Sequence, residues 1–320
     1  MNTFFKLFSI SLLATSFTLT SCASIKSSKT RIIEYTSDAN GFHTKTYFFE
    51  GENDVVAFDA QFTQGYAKKA IEHLRKFTNK PISWLVITHP NPDKFNGASV
   101  FQEEGAKIIA SELTKKNMKN VHNYKKYYFV KIAKMFTEKT YPKMPKIDET
   151  FKTELTLRLS GGENIYLKEL ERAGISTNQT VAEIPLVKSL VVGDLVHTNA
   201  HAWLEGGIKN STPKPTIDSW VELLIDLKNE YSSDYTVLGG RGKNTSSNKA
   251  FDKQITYLEK ANKLVNNYVV GLGSKKSELK TSKSAKHYKA IAKIFEKEFP
   301  KYDLSYMIEY GVYGLINSKI

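Results

Sequence analysis

Thr88-His89-Pro90-Asn91-Pro92-Asp93-Lys94-Phe95-Asn96-Gly97 follows directly on the apolar run Ile82 to Ile87. The run reads as a buried strand. A loop at a strand end is held by the sheet behind it, which is where fixed functional groups are most often carried. Upstream, Tyr66 to Thr78 has a helical pattern, and Val55-Val56-Ala57-Phe58 is a second apolar strand that ends in an acid, Asp59. Strand, helix and strand in that order predict a parallel pair joined by a right-handed crossover. Arg31 to Glu50 is strand-like and closes in the turn Gly51 to Asp54. Downstream, Ser99 to Glu104 and Lys107 to Ala110 repeat the alternation, and the Lys- and aromatic-rich Ser111 to Thr140 predicts a helical insertion over the sheet.

The second half opens with Phe151, Leu155, Leu157 and Leu159, a Gly161-Gly162 turn, and Ile165 to Leu170, which together predict a hairpin. Further strands are expected at Thr180 to Ile184, Leu190 to Val192 and Tyr235 to Leu238. Trp220, Leu223, Leu224 and Leu227, and again Phe251, Ile255 and Leu258, fall at helical spacing and are read as core faces. The polar, basic run Lys275 to Lys286 predicts a linker before two terminal helices. Nothing in the chain matches a nucleophile elbow, a Walker loop or a dinucleotide fingerprint.

The loop at 88–97 resembles the His-x-His-x-Asp-His loop of the metallo-β-lactamase fold, and Asp59 matches the acid that ends the strand before it. Later landmarks agree in order. Ile184-Pro185 and Leu190-Val191-Val192-Gly193-Asp194 resemble the family's strand, turn and strand ending in Gly-Asp. His201-Ala202-Trp203-Leu204 matches a His-x-aromatic-Leu segment of one branch, and Leu238-Gly239-Gly240-Arg241-Gly242 is similar to the family's Gly-His-Gly loop. The resemblance covers about residues 31–260. It implies an α/β chain folded as an αββα sandwich, here with additional C-terminal helices.

The resemblance also implies two zinc ions about 3.5–4 Å apart, with a shared hydroxide that attacks an ester, lactam or thioester carbonyl. Carried over by position, the first site keeps His89, has Asn91 for its second His, and finds Gly174-Ile175 where its third would be. The second site keeps Asp93 but has Lys94 and Arg241 for its two His, while the bridging acid is Asp194. A protonated Lys has no lone pair to give and Arg stays charged, so neither binds zinc. Each brings a positive charge beside the acids instead. The expectation is an ion-pair cluster in place of the second metal, with His89, Asp93 and Asp194 as residual ligand positions and Asn91, Lys94, His201 and Arg241 lining a pocket that takes a small-molecule or anionic ligand. No resident cofactor is expected, and zinc is the one candidate metal. His43, His73, His122, His197 and His287 show no ligand-like grouping.

The chain has 320 residues, 41% hydrophobic and 25% charged, which excludes collagen-like and disordered classes. Lys and Arg number 46 against 33 acids, a formal +13 that favours polyanionic surroundings such as lipid headgroups. Lys6 and the apolar stretch Leu7 to Leu19 read as a signal peptide. Its end, Leu19-Thr20-Ser21-Cys22, resembles a bacterial lipobox, and Cys22 is the only cysteine. The expected organisation is a leader at 1–21, a lipidated tether at 22–30, the metallo-β-lactamase-like domain at 31–260 and a helical extension at 261–320. The expected partner is the bilayer, reached through acylated Cys22, with the body at the outer membrane facing the periplasm. Nucleic acid is not expected, since the leader exports the body and its basic residues are dispersed. The leading reading is a divergent member with an impaired or absent di-zinc site. The rivals are an active metal-dependent hydrolase with a rebuilt site and a structural envelope lipoprotein.

Overall fold

The computed structural model describes residues 30–320, so the expected leader, Cys22 and the tether up to residue 29 lie outside the described residues. The first half builds one sheet from β1 (Arg31–Thr36), β2 (Lys45–Glu50), β3 (Val55–Phe58), β4 (Ile82–Ile87), β5 (Lys107–Ser111) and β6 (Glu149–Phe151), in that order across the sheet. β1 to β3 pair antiparallel, while β3 to β6 run parallel through crossovers. The crossovers carry α1 (Gln64–Arg75), the single turn α2 (Pro92–Phe95), α3 (Ala98–Glu103) and α4 (Glu112–Tyr127). Two of these start on hydroxyl caps: Thr63 accepts from Tyr66 N and Ser111 from Thr114 N, satisfying donors the helix leaves free.

The second sheet is ordered β14, β13, β10, β9, β8, β7. Its strands are β7 (Glu154–Arg158), β8 (Asn164–Glu169), β9 (Thr180–Ile184), β10 (Ser189–Thr198), β13 (Thr236–Gly242) and β14 (Thr245–Ser246), with β11 (Gly207–Lys209) and β12 (Thr212–Lys214) forming a separate ribbon. β10 and β13 run parallel, and both extend past the spans expected of them, which turns the segment containing Arg241 from a loop into a strand end. The remaining helices are α5 (Ile217–Glu230), α6 (Ser247–Gly271), α7 (Ser284–Glu298) and α8 (Tyr306–Asn317).

Side-chain alternation along the strands sorts the core into layers. Phe48, Val55, Ala57, Leu85 and Ile87 face α1 and α3, whereas Tyr47, Phe49, Val56, Phe58 and Val86 face the second sheet and meet Leu157, Ile165, Leu167, Ala182 and Val191. Behind the second sheet, Trp220, Leu223, Leu224 and Leu227 of α5 join α6, α7 and α8. The expected αββα sandwich is therefore the observed one.

Two boundaries are corrected. The division at 260/261 falls inside the unbroken α6, whose buried face carries Phe251 and Leu258 on one side of it and Ala261, Val265 and Val269 on the other. Residues 261–320 therefore share the core of the domain before them. The linker expected at 275–286 instead holds a short helix, Gly273–Lys280, and the start of α7. Leu279, buried among the charged residues of that stretch, anchors it to the core. Among the described residues no helix is long and apolar enough to cross a membrane.

Candidate functional site

The strand ends β3 and β4 bring Asp59 and the loop at 88–97 together. Asp59 follows β3 in a left-handed conformation, φ 64°, and accepts from Thr88 N and Thr88 Oγ1, each at 2.9 Å. The loop is tied down further on, where Ala60 N donates to the Lys94 carbonyl at 2.8 Å. Gly97 and Gly240 are among the positions where a side chain has no room. A Cβ on Gly97 would lie 2.1 Å from the Ala60 carbonyl oxygen, and one on Gly240 would lie 1.8 Å from Asp194 Oδ1. Gly240 thus lets β13 pass directly against the Asp194 carboxylate.

Around that carboxylate, Lys94 and Arg241 each contact both Asp93 and Asp194. Lys94 Nζ, with no solvent exposure, donates to Asp194 Oδ1 at 2.7 Å and lies 2.9 Å from Asp93 Oδ2 and 3.9 Å from Asp59 Oδ2. Arg241 uses all its donors. Nε reaches the Phe42 carbonyl at 2.7 Å, Nη1 reaches Asp194 Oδ1 at 2.7 Å and the Gly240 carbonyl at 3.0 Å, and Nη2 reaches Asp93 Oδ2 at 2.9 Å and Thr44 Oγ1 at 3.2 Å. Burial alone would raise both carboxyls. The neighbouring cations win: Lys94 and then Arg241 hold Asp93 at about 2, and Arg241 and then Lys94 keep Asp194 well below the usual carboxylate range. Burial likewise opposes the charge on Lys94 and Arg241, yet Asp194 and Asp93 raise both above their ordinary values. Asp59 goes the other way, with burial pushing it up to about 7 against the pull of Lys94 and Thr88.

The imidazoles sit on the far side of Asp194. The Thr88 hydroxyl donates to Asp59, so it accepts from His89 Nδ1 at 3.0 Å, which leaves His89 Nε2 as the bare nitrogen, 3.8 Å from Asp194 Oδ2 and without a partner. Burial pushes His89 down to about 4, so it is neutral. His197 Nδ1 donates to the His201 carbonyl at 3.0 Å, and its Nε2, also unpartnered, lies 3.8 Å from Asp194 Oδ1. The strand pattern does not mark His197 for this position. In a regular strand residues 194 and 197 point to opposite faces. Register shifts in β10 around Gly193, which has φ 52°, bring both to one side.

Of the expected pocket residues, Asn91 and Arg241 line a cleft together with Asp93 and Asp194, while Lys94 lies beneath its floor. His201 is outside it. Its ring is enclosed by Tyr257, Phe295, Phe299 and Tyr302, and Nδ1 meets the Tyr257 hydroxyl at 3.3 Å. These aromatic neighbours draw it into the helical layer, so it touches the cluster only through its carbonyl on His197. Gly174 packs against Leu195 and Trp220, and Ile175 is core, so the third histidine position offers no ligand.

The residues present do not fit a pair of zinc ions. The space between Asp93 and Asp194 is held by an ammonium and a guanidinium, and among the described residues no group of three or more His, Cys, Asp or Glu side chains is placed to hold a metal.

An αββα sandwich with Asp59, the loop at 88–97 and Gly193-Asp194 converging at the strand ends defines a class of proteins. Residues 39–239 match the metallo-beta-lactamase superfamily, and the chain belongs to it. Solved structures agree on the fold. A metallo-beta-lactamase from Pontibacter korlensis is 18% identical, with 68% of this chain and 87% of that chain covered and a TM-score of 0.50. TMB-1, a protein described with substrate and inhibitor binding, is 17% identical over 72% of this chain and 93% of that chain, TM-score 0.51. The sec-alkylsulfatase Pisa1 from Pseudomonas sp. is 14% identical over 72% of this chain but 40% of that chain, TM-score 0.55. Comparison with curated proteins finds no match.

Proposed function

We propose that this chain is a metallo-β-lactamase-fold protein that works without the di-zinc centre, as a binding protein whose cleft is retained and whose second metal is replaced by Lys94 and Arg241. The observation that carries the reading is that these two cations are hydrogen-bonded to both carboxylates, Asp93 and Asp194, that a metal would need. Charge balance makes the replacement self-consistent, because two buried acids without counter-charge would cost several kcal/mol. A second reading, one metal on the histidine side, is favoured by the unpartnered Nε2 atoms of His89 and His197 facing Asp194. In either case the body is a lipoprotein held at the outer membrane through acylated Cys22.

Elemental analysis of protein purified without chelator separates the readings. Zinc below about a tenth of an equivalent, with no gain in thermal stability on adding zinc, is expected of the metal-free protein. About one equivalent selects the histidine-side site, and about two equivalents overturn the replacement and direct attention to hydrolysis of ester, lactam or thioester substrates.

A further inference from the structure

Two neighbouring cavities share walls beside the carboxylate cluster, an inner one against it and an outer one further from it. The inner one, about 40 Å³, has Asn91, Asp93, Asp194 and Arg241 at its base and Phe62 and Met307 in its walls. The outer one, about 530 Å³, shares Phe42, Phe129 and Trp203 with it and opens past Tyr128, Met135 and Tyr310. The inner space suits a small polar head and the outer an apolar body of ordinary ligand size.

The polarity left unspent at the base decides what that head must be. Every Arg241 donor is engaged within the protein, and Lys94 is sealed under the floor. Lys125, the remaining cation of the inner chamber, is bonded to Glu205 and lies 4.9 Å from the Trp203 ring centre, while Trp203 Nε1 also donates to Glu205, at 3.0 Å. Asp93 takes its hydrogen bonds and ion pairs on Oδ2, and Asp194 takes those from Lys94 and Arg241 on Oδ1. Asp93 Oδ1 and Asp194 Oδ2 accept no hydrogen bond among the described residues. What the lining side chains still offer is therefore two carboxylate oxygens and the neutral Asn91 amide. An anion would meet acceptors and cations already bound elsewhere.

Resting on the metal-free reading above, we propose that the cleft takes an organic ammonium, a primary amine carried on an apolar or aromatic body. Its N–H groups donate to the unspent carboxylate oxygens, the faces of Phe42, Phe62 and Phe129 surround the charge, and the body fills the outer chamber. Aromatic walls around a desolvated ammonium add a cation–π attraction to the charge-assisted hydrogen bonds.

The test is calorimetric titration of the full chain with phenylbutylamine, phenylbutanol and phenylbutyrate, three probes of one shape, with zinc measured on the same sample. The amine is expected to bind about tenfold or more tighter than the carboxylate, with the alcohol between them. Asn91→Asp, at a partly exposed position outside the ion-pair cluster, is expected to tighten the amine about threefold or more and to weaken the carboxylate. A carboxylate that binds as tightly as the amine in zinc-free protein overturns this inference alone. The same preference in a sample that carries zinc overturns the metal-free reading and this inference with it. Absence of binding by all three, or an Asn91→Asp variant with unchanged ranking, also overturns the proposed site.

Discussion

The two sides of the Asp194 carboxylate are built in opposite ways. On one side stand His89 and His197, each with Nδ1 committed to a protein acceptor and Nε2 left bare, and nothing has been put where a metal would bind them. On the other side stand Asp93 and Asp194, with an ammonium and a guanidinium bonded to their oxygens. Charge explains the difference. A buried neutral imidazole with one unmade hydrogen bond costs about 1–3 kcal/mol, which a fold can absorb. Two buried carboxylates cannot be left uncompensated, so only their side demands a substitute.

The sharpest way to break this comparison is Lys94→Met, which keeps an unbranched side chain one heavy atom shorter and removes its charge. Asp93 and Asp194 are then left to share Arg241, and the expected loss is about 3–5 kcal/mol of folding stability, read from urea unfolding. A loss below about 1 kcal/mol would mean that the carboxylates do not need Lys94, and the charge argument would fail.

A smaller effect is expected from acid. In the unfolded chain His89 and His201 take up a proton near 6.5, but burial lowers both to about 4 in the fold. Between those values the unfolded state holds more protons, so each group makes stability fall as pH falls. Asp59 opposes them. Its ordinary value is 3.8 and burial raises it to about 7, so over the same window the folded state holds the extra proton and acid favours it. His89 and His201 against Asp59 leave a net loss of about 2 kcal/mol on going from pH 6.5 to 4, and His43 and His122, also lowered by burial, act in the same direction. Asp59→Asn removes the opposing group and should steepen the decline. Urea midpoints measured across that window check both, and a flat or rising profile in the unaltered protein would show that the imidazoles do not stay neutral.

How far the site could be read from residues alone follows the same division. Asp59, the loop at 88–97, Gly193-Asp194 and Arg241 were legible because each closes an apolar strand or stands beside a glycine that the packing requires, and strand ends on one edge of a sandwich converge. His197 was not legible, because its approach to Asp194 depends on an irregularity in β10 that no period-two pattern announces. His201 was misplaced for the opposite reason. Its local sequence matched a family segment, whereas its surroundings are set by Phe295, Phe299 and Tyr302 from the far end of the chain. The same helical layer hid the continuity of α6 across residue 260, since charged residues on its exposed face break up the apolar pattern that its buried face keeps.

The smallest predicted effect falls only five residues from the largest. His89→Gln places an amide where the imidazole stood, and a glutamine N–H can turn toward Asp194 Oδ2, 3.8 Å from the present Nε2, supplying the donor that position lacks. The transfer term for losing the ring and the gain of a hydrogen bond to a carboxylate are of similar size, so the net change in urea stability is expected to be within about 1 kcal/mol. Zinc content is expected to stay unchanged. The pair of substitutions therefore reads the two sides of one carboxylate against each other within a single loop. If His89→Gln costs as much as Lys94→Met, or releases a bound metal, the histidine side is a working site and the asymmetry drawn between the two sides is wrong.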